Sequence, residues 1–448
     1  MTITGKMFAV AVWSVLALAR PAAGQTDLDE KINSNIADWV ATYKHLHANP
    51  ELSTQEKETS ALVAGTLRKL GYEVTDHFGK YEDASLVSYG VVAVLQNGPG
   101  PTVYVRTELD ALPVREKTGL PYASNVTVKR ASDEVGVMHA CGHDLHMTVF
   151  LGTAKMLAEE RSHWSGTVVM IAQPAEETVG GAAAMLRAGL FEKFPKPDYV
   201  LALHDMATLP AGTVAWRAGA MLAGADSVDI TFRGYGGHGA APHMTKDPIV
   251  MASEFVVLLQ TIVSREEDPL QPTVVTVGSF HAGTKHNIIP DEARLQLSVR
   301  TMTPEQREKT LAAIRRMALG IAEAAGVPAD RAPIITLDPD GVPATVNDAA
   351  LTQRVVASLD KALGDENVVK GTPVMASEDF SLFALSAPKP PICMFWLGAV
   401  DPAKLKEAQE KGARLPSLHS SEFAPLPEPA IRTGVKGMTS VVLDLLKK

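Results

Sequence analysis

Between Met138 and His146 the chain places one thiol, three imidazoles and a carboxylate in nine residues: Met138-His139-Ala140-Cys141-Gly142-His143-Asp144-Leu145-His146. Thiolate and imidazole are donors that suit zinc and similar borderline divalent ions. Cys141 and His143 stand at i and i+2, a spacing that in an extended backbone points both side chains the same way. Gly142 between them lets the chain bend closely around an ion. Alone, the pattern also fits a buried cysteine beside surface histidines, or one half of a disulfide to Cys393. Cys393 falls in the apolar run Pro391-Ile392-Cys393-Met394-Phe395-Trp396 and reads as an ordinary buried thiol. A second cluster, Gln173-Pro174-Ala175-Glu176-Glu177, follows an apolar strand-like run. Adjacent carboxylates there are costly without cations nearby. Leu203-His204-Asp205 ends the next such run in the same way. Open α/β sheets bind ligands at the carboxyl ends of their strands. The three clusters therefore offer Cys, His, Glu and His donors, with one carboxylate to spare.

The rest of the pattern supplies strands to carry those clusters. Leu28, Ile32, Ile36, Trp39, Tyr43 and Leu46 recur at helical spacing. Ser53 and Glu56 form a capping-box pattern before a helix with Leu62, Val63, Leu67 and Leu70, stopped by Gly71. Strand-like runs follow at 91–95 and 103–107, joined by the turn-rich Asn97-Gly98-Pro99-Gly100. The runs at 167–172 and 199–203 are short and nearly all apolar, as strands buried on both faces of a parallel sheet are. A small apolar helix at 180–190 lies between them. Near Asp226 the texture changes: 227–233, 273–280 and 293–300 alternate apolar and polar residues, as half-exposed antiparallel strands do. Helices are expected at about 248–264 and 304–325, the second with Thr303 as N-cap, Pro304 at N1 and Gln306 at N3. An α/β pattern resumes at 340–347 and ends in a long helix from about Glu428. The expected fold is α/β: a parallel-rich sheet flanked by helices, built from 25–225 and 342–448, with an inserted α+β domain at 226–341.

Composition narrows the classes. At 448 residues, with 46% hydrophobic and 21% charged residues, the chain is neither disordered nor fibrous. A net charge of −9 gives no field that favours nucleic acid or an anionic membrane. Two cysteines allow at most one bridge. Lys6, the apolar run 7–19, Arg20-Pro21 and Ala22-Ala23-Gly24 read as a signal peptide over 1–24. Export to the periplasm or the medium is therefore expected, with no membrane contact after processing. The alternative is an uncleaved N-terminal anchor, although thirteen apolar residues are short for a span.

Several motifs in order carry a family resemblance: Arg106-Thr107-Glu108-Leu109-Asp110-Ala111-Leu112-Pro113, then 138–144, then 173–177. Gly236-Gly237-His238, His286-Asn287-Ile288-Ile289-Pro290, Ser377-Glu378-Asp379-Phe380 and Leu418-His419 follow. Together they resemble the M20 peptidases, specifically the amidohydrolase subfamily with hippurate hydrolases and indole-acetyl-amino-acid hydrolases. The resemblance spans essentially the whole chain after residue 24. It implies a zinc-peptidase-like catalytic domain with two divalent metal ions per subunit, Zn²⁺ or Mn²⁺ with Co²⁺ or Ni²⁺ as further options. It implies Cys141 as the bridging ligand, with His143, Glu177, His204 and His419 completing the set and Glu176 as general base. Asp110 looks like a carboxylate that orients a ligand. It further implies that 226–341 is a lid domain that mediates a homodimer or higher homo-oligomer. His238 would then reach the partner's active site and stabilise an oxyanion. By composition, His238 also fits a simple turn histidine, and His243 is its nearest competitor. Asn287 and Arg300 end lid strands and could clamp a substrate carboxylate, Arg by its fork, although a surface position suits Arg300 equally well.

Four positions depart from the subfamily pattern: Glu108, Asp205, Gly239 and Ser420-Ser421-Glu422. They are expected beside the pocket, bearing on substrate preference. The function implied is hydrolysis of an N-acyl amino acid, or a small amide like it, to acid and amine. Three rivals are a carboxypeptidase or dipeptidase on the same scaffold, a cysteine hydrolase with Cys141 as nucleophile, and a non-catalytic periplasmic binding protein. Acyl-amino acids against dipeptides separate the first. A chelator separates the second. The presence of Glu176 and all five ligand positions argues against the third.

Overall fold

The computed structural model describes residues 23–130, 133–339 and 341–448. Most of the expected signal segment 1–24 lies outside the described residues; Ala23 and Gly24 open the first helix. The strands used below are β1 Glu73–Thr75, β2 Val91–Asn97, β3 Thr102–Glu108, β4 Gly166–Gln173, β5 Tyr199–Pro210 and β6 Val214–Trp216. They continue with β7 Gly224–Arg233, β8 Val274–Ala282, β9 Glu292–Thr301, β10 Ile334–Leu337, β11 Val368–Lys370 and β12 Ile392–Val400. The helices are α1 Ala23–Ala48, α2 Lys57–Lys69, α3 His143–Glu159, α4 Pro248–Thr261, α5 Pro304–Ala324 and α6 Pro427–Leu445.

Among the described residues the main sheet has eight strands in the order β1-β2-β4-β3-β5-β12-β6-β11. Its centre, β4-β3-β5-β12, is parallel. Antiparallel pairing enters on the sides, between β1, β2 and β4 and between β12 and β6. All seven residues of β3 are buried: Val103-Tyr104-Val105 is apolar without alternation, as in a strand covered on both faces, and the buried polar Arg106-Thr107-Glu108 follows. The runs that became β2 and β3 are joined by the expected turn but do not pair, because β4 lies between them. One face of the sheet packs Trp39, Tyr43, Phe150 and Val442 from α1, α3 and α6. The other packs Tyr104, Phe191, Phe380 and Trp396. Each such apolar side chain contributes about 1.5–3 kcal/mol on burial.

The chain between Asp226 and residue 341 builds a second sheet in the order β8-β9-β7-β10. In β7, Val228, Ile230 and Phe232 point inward while Ser227 and Asp229 are exposed. Helices α4 and α5 cover the inner face through Phe255, Leu259, Ile314 and Met317. Asp247 caps α4 by accepting the Ile249 N–H, and Thr303 caps α5 by accepting that of Gln306. The α4 helix ends at Thr261 and runs into one π turn, Ile262–Glu266.

One local expectation fails. Ser53 and Glu56 do not form a capping box, since α2 begins only at Lys57 and Glu56 makes no side-chain cap bond. Thr54 sits at φ 66°, which turns the chain away from a helical start. The Ser53 hydroxyl instead donates to Asp110 Oδ2 at 2.6 Å. Glu56 Oε1 accepts the Thr54 and Ala175 N–H groups at 2.9 and 2.8 Å.

Candidate metal centre and active site

The carboxyl ends of β3 and β4 deliver Glu108-Leu109-Asp110 and Pro174–Glu177 to one edge of the sheet. His204-Asp205 does not end its strand as expected: β5 runs on to Pro210, and the pair stands just beyond Ala202, where pairing with β3 stops. Cys141 and His143 reach that edge from the start of α3, not from an extended strand as their spacing suggested. Gly142 is left-handed at φ 79°, and a Cβ there would lie 2.4 Å from Asp205 Oδ2. The glycine therefore lets the turn press against β5 at Asp205 while His143 begins the helix.

The donor atoms converge. Cys141 Sγ lies 3.6 Å from His204 Nε2 and 3.2 Å from His419 Nε2. His419 Nε2 is 3.7 Å from Glu177 Oε2, and His143 Nε2 is 3.8 Å from Glu176 Oε2. Cys141, His143 and His204 form one compact triplet, and Cys141, Glu177 and His419 form another. Cys141 is thus common to two metal-sized groups. The imidazoles are oriented as ligands. His143 Nδ1 donates to the Asp110 carbonyl and His204 Nδ1 to the Asp205 carbonyl, both at 2.8 Å. This leaves each Nε2 with its lone pair facing the cluster. His143 Nε2 and Glu177 Oε1 are buried without a hydrogen-bond partner, which is costly unless a cation completes them. Burial, with the charges of Glu378 and Glu177, pushes the Glu176 carboxyl well above the usual range. Burial, assisted by Asp110, carries Glu177 up to about 7. The donor set fits two divalent ions.

His146 is adjacent but already engaged. Its Nε2 accepts the Asp205 N–H at 2.8 Å and its Nδ1 meets Glu108 Oε2 at 2.9 Å. Glu108 also pairs with Arg106, whose Nη2 reaches Glu378 at 2.7 Å and Asp379 at 3.1 Å. Gln173 Nε2 joins the same network at Asp379, 2.7 Å away. Glu108 and Asp205 are therefore fully buried supports behind the ligands. None of the four departures from the subfamily pattern is in the wall of the cavity described next; Asp205 and Ser420 directly follow the lining residues His204 and His419. Asp110 serves twice: its carbonyl holds His143, and its Oδ2 accepts the Glu177 N–H at 3.0 Å.

A cavity of about 640 Å³ opens over Cys141, Glu176, Glu177, His204 and His419. Met206, Leu222, Val374 and Trp396 form an apolar wall. Arg300 enters from β9 with its Nη1 2.6 Å from Ser377 Oγ. Two expected contributors lie elsewhere. His238 is exposed in a short ribbon, Gly237–His238 paired with Ile288–Ile289, and its Nδ1 accepts the Ala240 N–H at 3.0 Å. Asn287 is exposed beside it, its carbonyl accepting the Gly239 N–H at 2.9 Å. Neither lines the cavity of its own chain. His243 is likewise exposed, in the turn Pro242–Met244. Both cysteines are free, so no Cys141–Cys393 disulfide exists. Sequence reasoning missed His47, buried between Asp144 and Glu116 at 2.7 and 3.0 Å, and gave Glu56 the wrong partner. The carboxylates that hold His47 and the Ala175 N–H held by Glu56 are 69 or more residues away, beyond any local spacing rule.

This fold and donor set belong to a metal-dependent hydrolase of amide bonds. Residues 104–418 match the peptidase family M20/M25/M40, and the chain belongs to that family. It is 37% identical over 403 residues to thermostable carboxypeptidase 2 of Saccharolobus solfataricus, covering 89% of this chain and 94% of that protein. It is 40% identical over 341 residues to hippurate hydrolase of Campylobacter jejuni, covering 75% and 82%. A solved Bacillus subtilis structure, a dinuclear metal binding peptidase from the M20 family, is similar at a TM-score of 0.74 and 28% identity. That likeness covers 92% of this chain and 99% of the other.

Proposed function

We propose that the protein hydrolyses the amide bond of N-acyl amino acids using two divalent ions, Zn²⁺ or Mn²⁺. The observation that carries this reading is Cys141 standing in two ligand triplets, with Glu176 outside both and close to His143 and Glu177. Two ions, one at Cys141, His143 and His204 and the other at Cys141, Glu177 and His419, would polarise the carbonyl and acidify a water to near neutrality. Glu176 takes the proton of the attacking water and returns it to the departing amine. Arg300 offers a fork to the substrate carboxylate, while the wall of Met206, Leu222, Val374 and Trp396 receives an apolar acyl group. A carboxypeptidase on the same scaffold is the second reading, favoured by the similarity to thermostable carboxypeptidase 2. A thiol nucleophile fits less well, because burial and the surrounding carboxylates push the Cys141 thiol up rather than down.

We further infer a homodimer through the 226–341 unit, acting as a lid. Helix α4 exposes Val250, Val257 and Leu258, and β8 is an edge strand beside it. In that arrangement the exposed His238 and Asn287 serve the partner's cavity, His238 as the oxyanion donor. Residues 1–24 are read as an export signal. The deciding experiment assays release from a panel of N-acyl amino acids and dipeptides, with elemental analysis of the same sample. Turnover of the acyl-amino acids and about two ions per chain are expected; turnover of dipeptides alone would favour the second reading.

A further inference from the structure

The base and the ligand next to it stand on a turn that an ordinary backbone does not adopt. Ala175 is left-handed at φ 50°, a conformation that a Cβ disfavours. It follows Pro174, which has no N–H to anchor. Its carbonyl accepts the N–H groups of Gly180 and Gly181, both at 3.1 Å, so the chain doubles back at once. The conformation of Ala175 decides where Glu176 projects, and the Ala175 N–H is held by Glu56 Oε1 at 2.8 Å. The same oxygen accepts the N–H of Thr54, itself left-handed at φ 66°. Glu56 is fully buried. On the other flank of Glu176, Asp110 Oδ2 holds the Glu177 N–H and is held in turn by the Ser53 hydroxyl. The segment 53–56 thus secures the peptides on both sides of the base.

We propose that Glu56 is a positioning residue for Glu176: by accepting the Ala175 N–H it locks the left-handed turn from which the base reaches the cavity. The inference rests on Glu176 being the proton-transfer group. What Glu56 supplies is an acceptor oxygen at one reach, not a charge. Gln keeps that oxygen in place, whereas Asp keeps the charge but is one methylene too short.

The test measures kcat, KM and metal content on the best N-acyl amino acid of the panel. Glu56→Gln should stay near the wild-type kcat. Glu56→Asp and Glu56→Ala should lose about 10–10²-fold in kcat, as a small misplacement does, with KM and metal content unchanged. Adding Ala175→Gly to Glu56→Ala should restore part of the loss, because glycine takes positive φ without the Cβ penalty. Gln failing as badly as Asp, or Asp retaining full kcat, would overturn the proposal. So would a kcat loss matched by loss of metal, since Glu56 would then serve the ions. If Glu56→Ala does not fold, the Gln and Asp variants still decide. An active Glu176→Gln enzyme would remove the assignment of the base. An inactive one beside a fully active Glu56→Asp would remove the clamp alone.

Discussion

At Glu176 the carboxylate lines the cavity without belonging to either Cys141 triplet, so Glu176→Gln removes a proton acceptor and leaves the five donors in place. Turnover should fall by roughly 10²–10⁴-fold with metal content unchanged by elemental analysis; a fully active variant would end its role as base. Cys141→Ala should behave oppositely, losing metal and activity together, because the donor common to both triplets is gone. His47 makes a prediction about pH. Burial opposes its charge, but Asp144 and Glu116 outweigh that and hold its pKa up at about 10. A pKa raised on folding stabilises the protein fully below the unfolded value of about 6.5 and loses that contribution as pH climbs through the folded value. The stability gap between wild type and His47→Gln, read from urea midpoints, should therefore narrow from pH 6.5 towards pH 10. A gap that widens over that window would contradict the buried imidazolium.

The elements explain why some of this was legible and some was not. Glu176 and Glu177 were readable because an apolar run that stops at a polar cluster marks the end of a buried strand. His204 was found by the same rule although its strand continues to Pro210. Cys141 and His143 were found for their donor types, yet the geometry assumed for them was wrong, because a left-handed Gly142 replaces the extended backbone. Ser53 and Glu56 fit a capping pattern by spacing, but buried partners at Asp110 and Ala175 claimed both side chains. The Arg106, Glu378 and Asp379 network joins positions more than 270 residues apart, which no periodicity can show. Gly142→Ala tests the element directly. Its Cβ would overlap the Asp205 carboxylate, and the positive φ adds about 1–3 kcal/mol. Urea unfolding should show a loss at least that large, with weaker metal retention; an unchanged midpoint would mean the turn relaxes freely.

At the scale of the whole molecule the proposed dimer predicts that each site is completed by a second copy. Mixing inactive Glu176→Gln with inactive His238→Ala protein, after dissociation and reassembly, gives heterodimers with one doubly damaged and one intact site if His238 crosses over. Roughly a quarter of wild-type activity should return, since half the dimers are mixed and each regains one of two sites. No recovery despite proven subunit exchange would place His238 in its own chain or outside the reaction. Intact-mass measurement on secreted protein addresses the leader: a mature start near Gln25 is expected, and a mass that includes Met1 would refute cleavage. The placing of β12 has a consequence for how the molecule comes into being. This strand lies between β5 and β6 and pairs with both, although nearly 200 residues separate it from β5. A growing chain that has synthesised Cys141, His143, Glu177 and His204 still lacks this interior strand of the sheet, and His419 emerges later still. The eight-stranded sheet therefore cannot be completed until the C-terminal segment has been made.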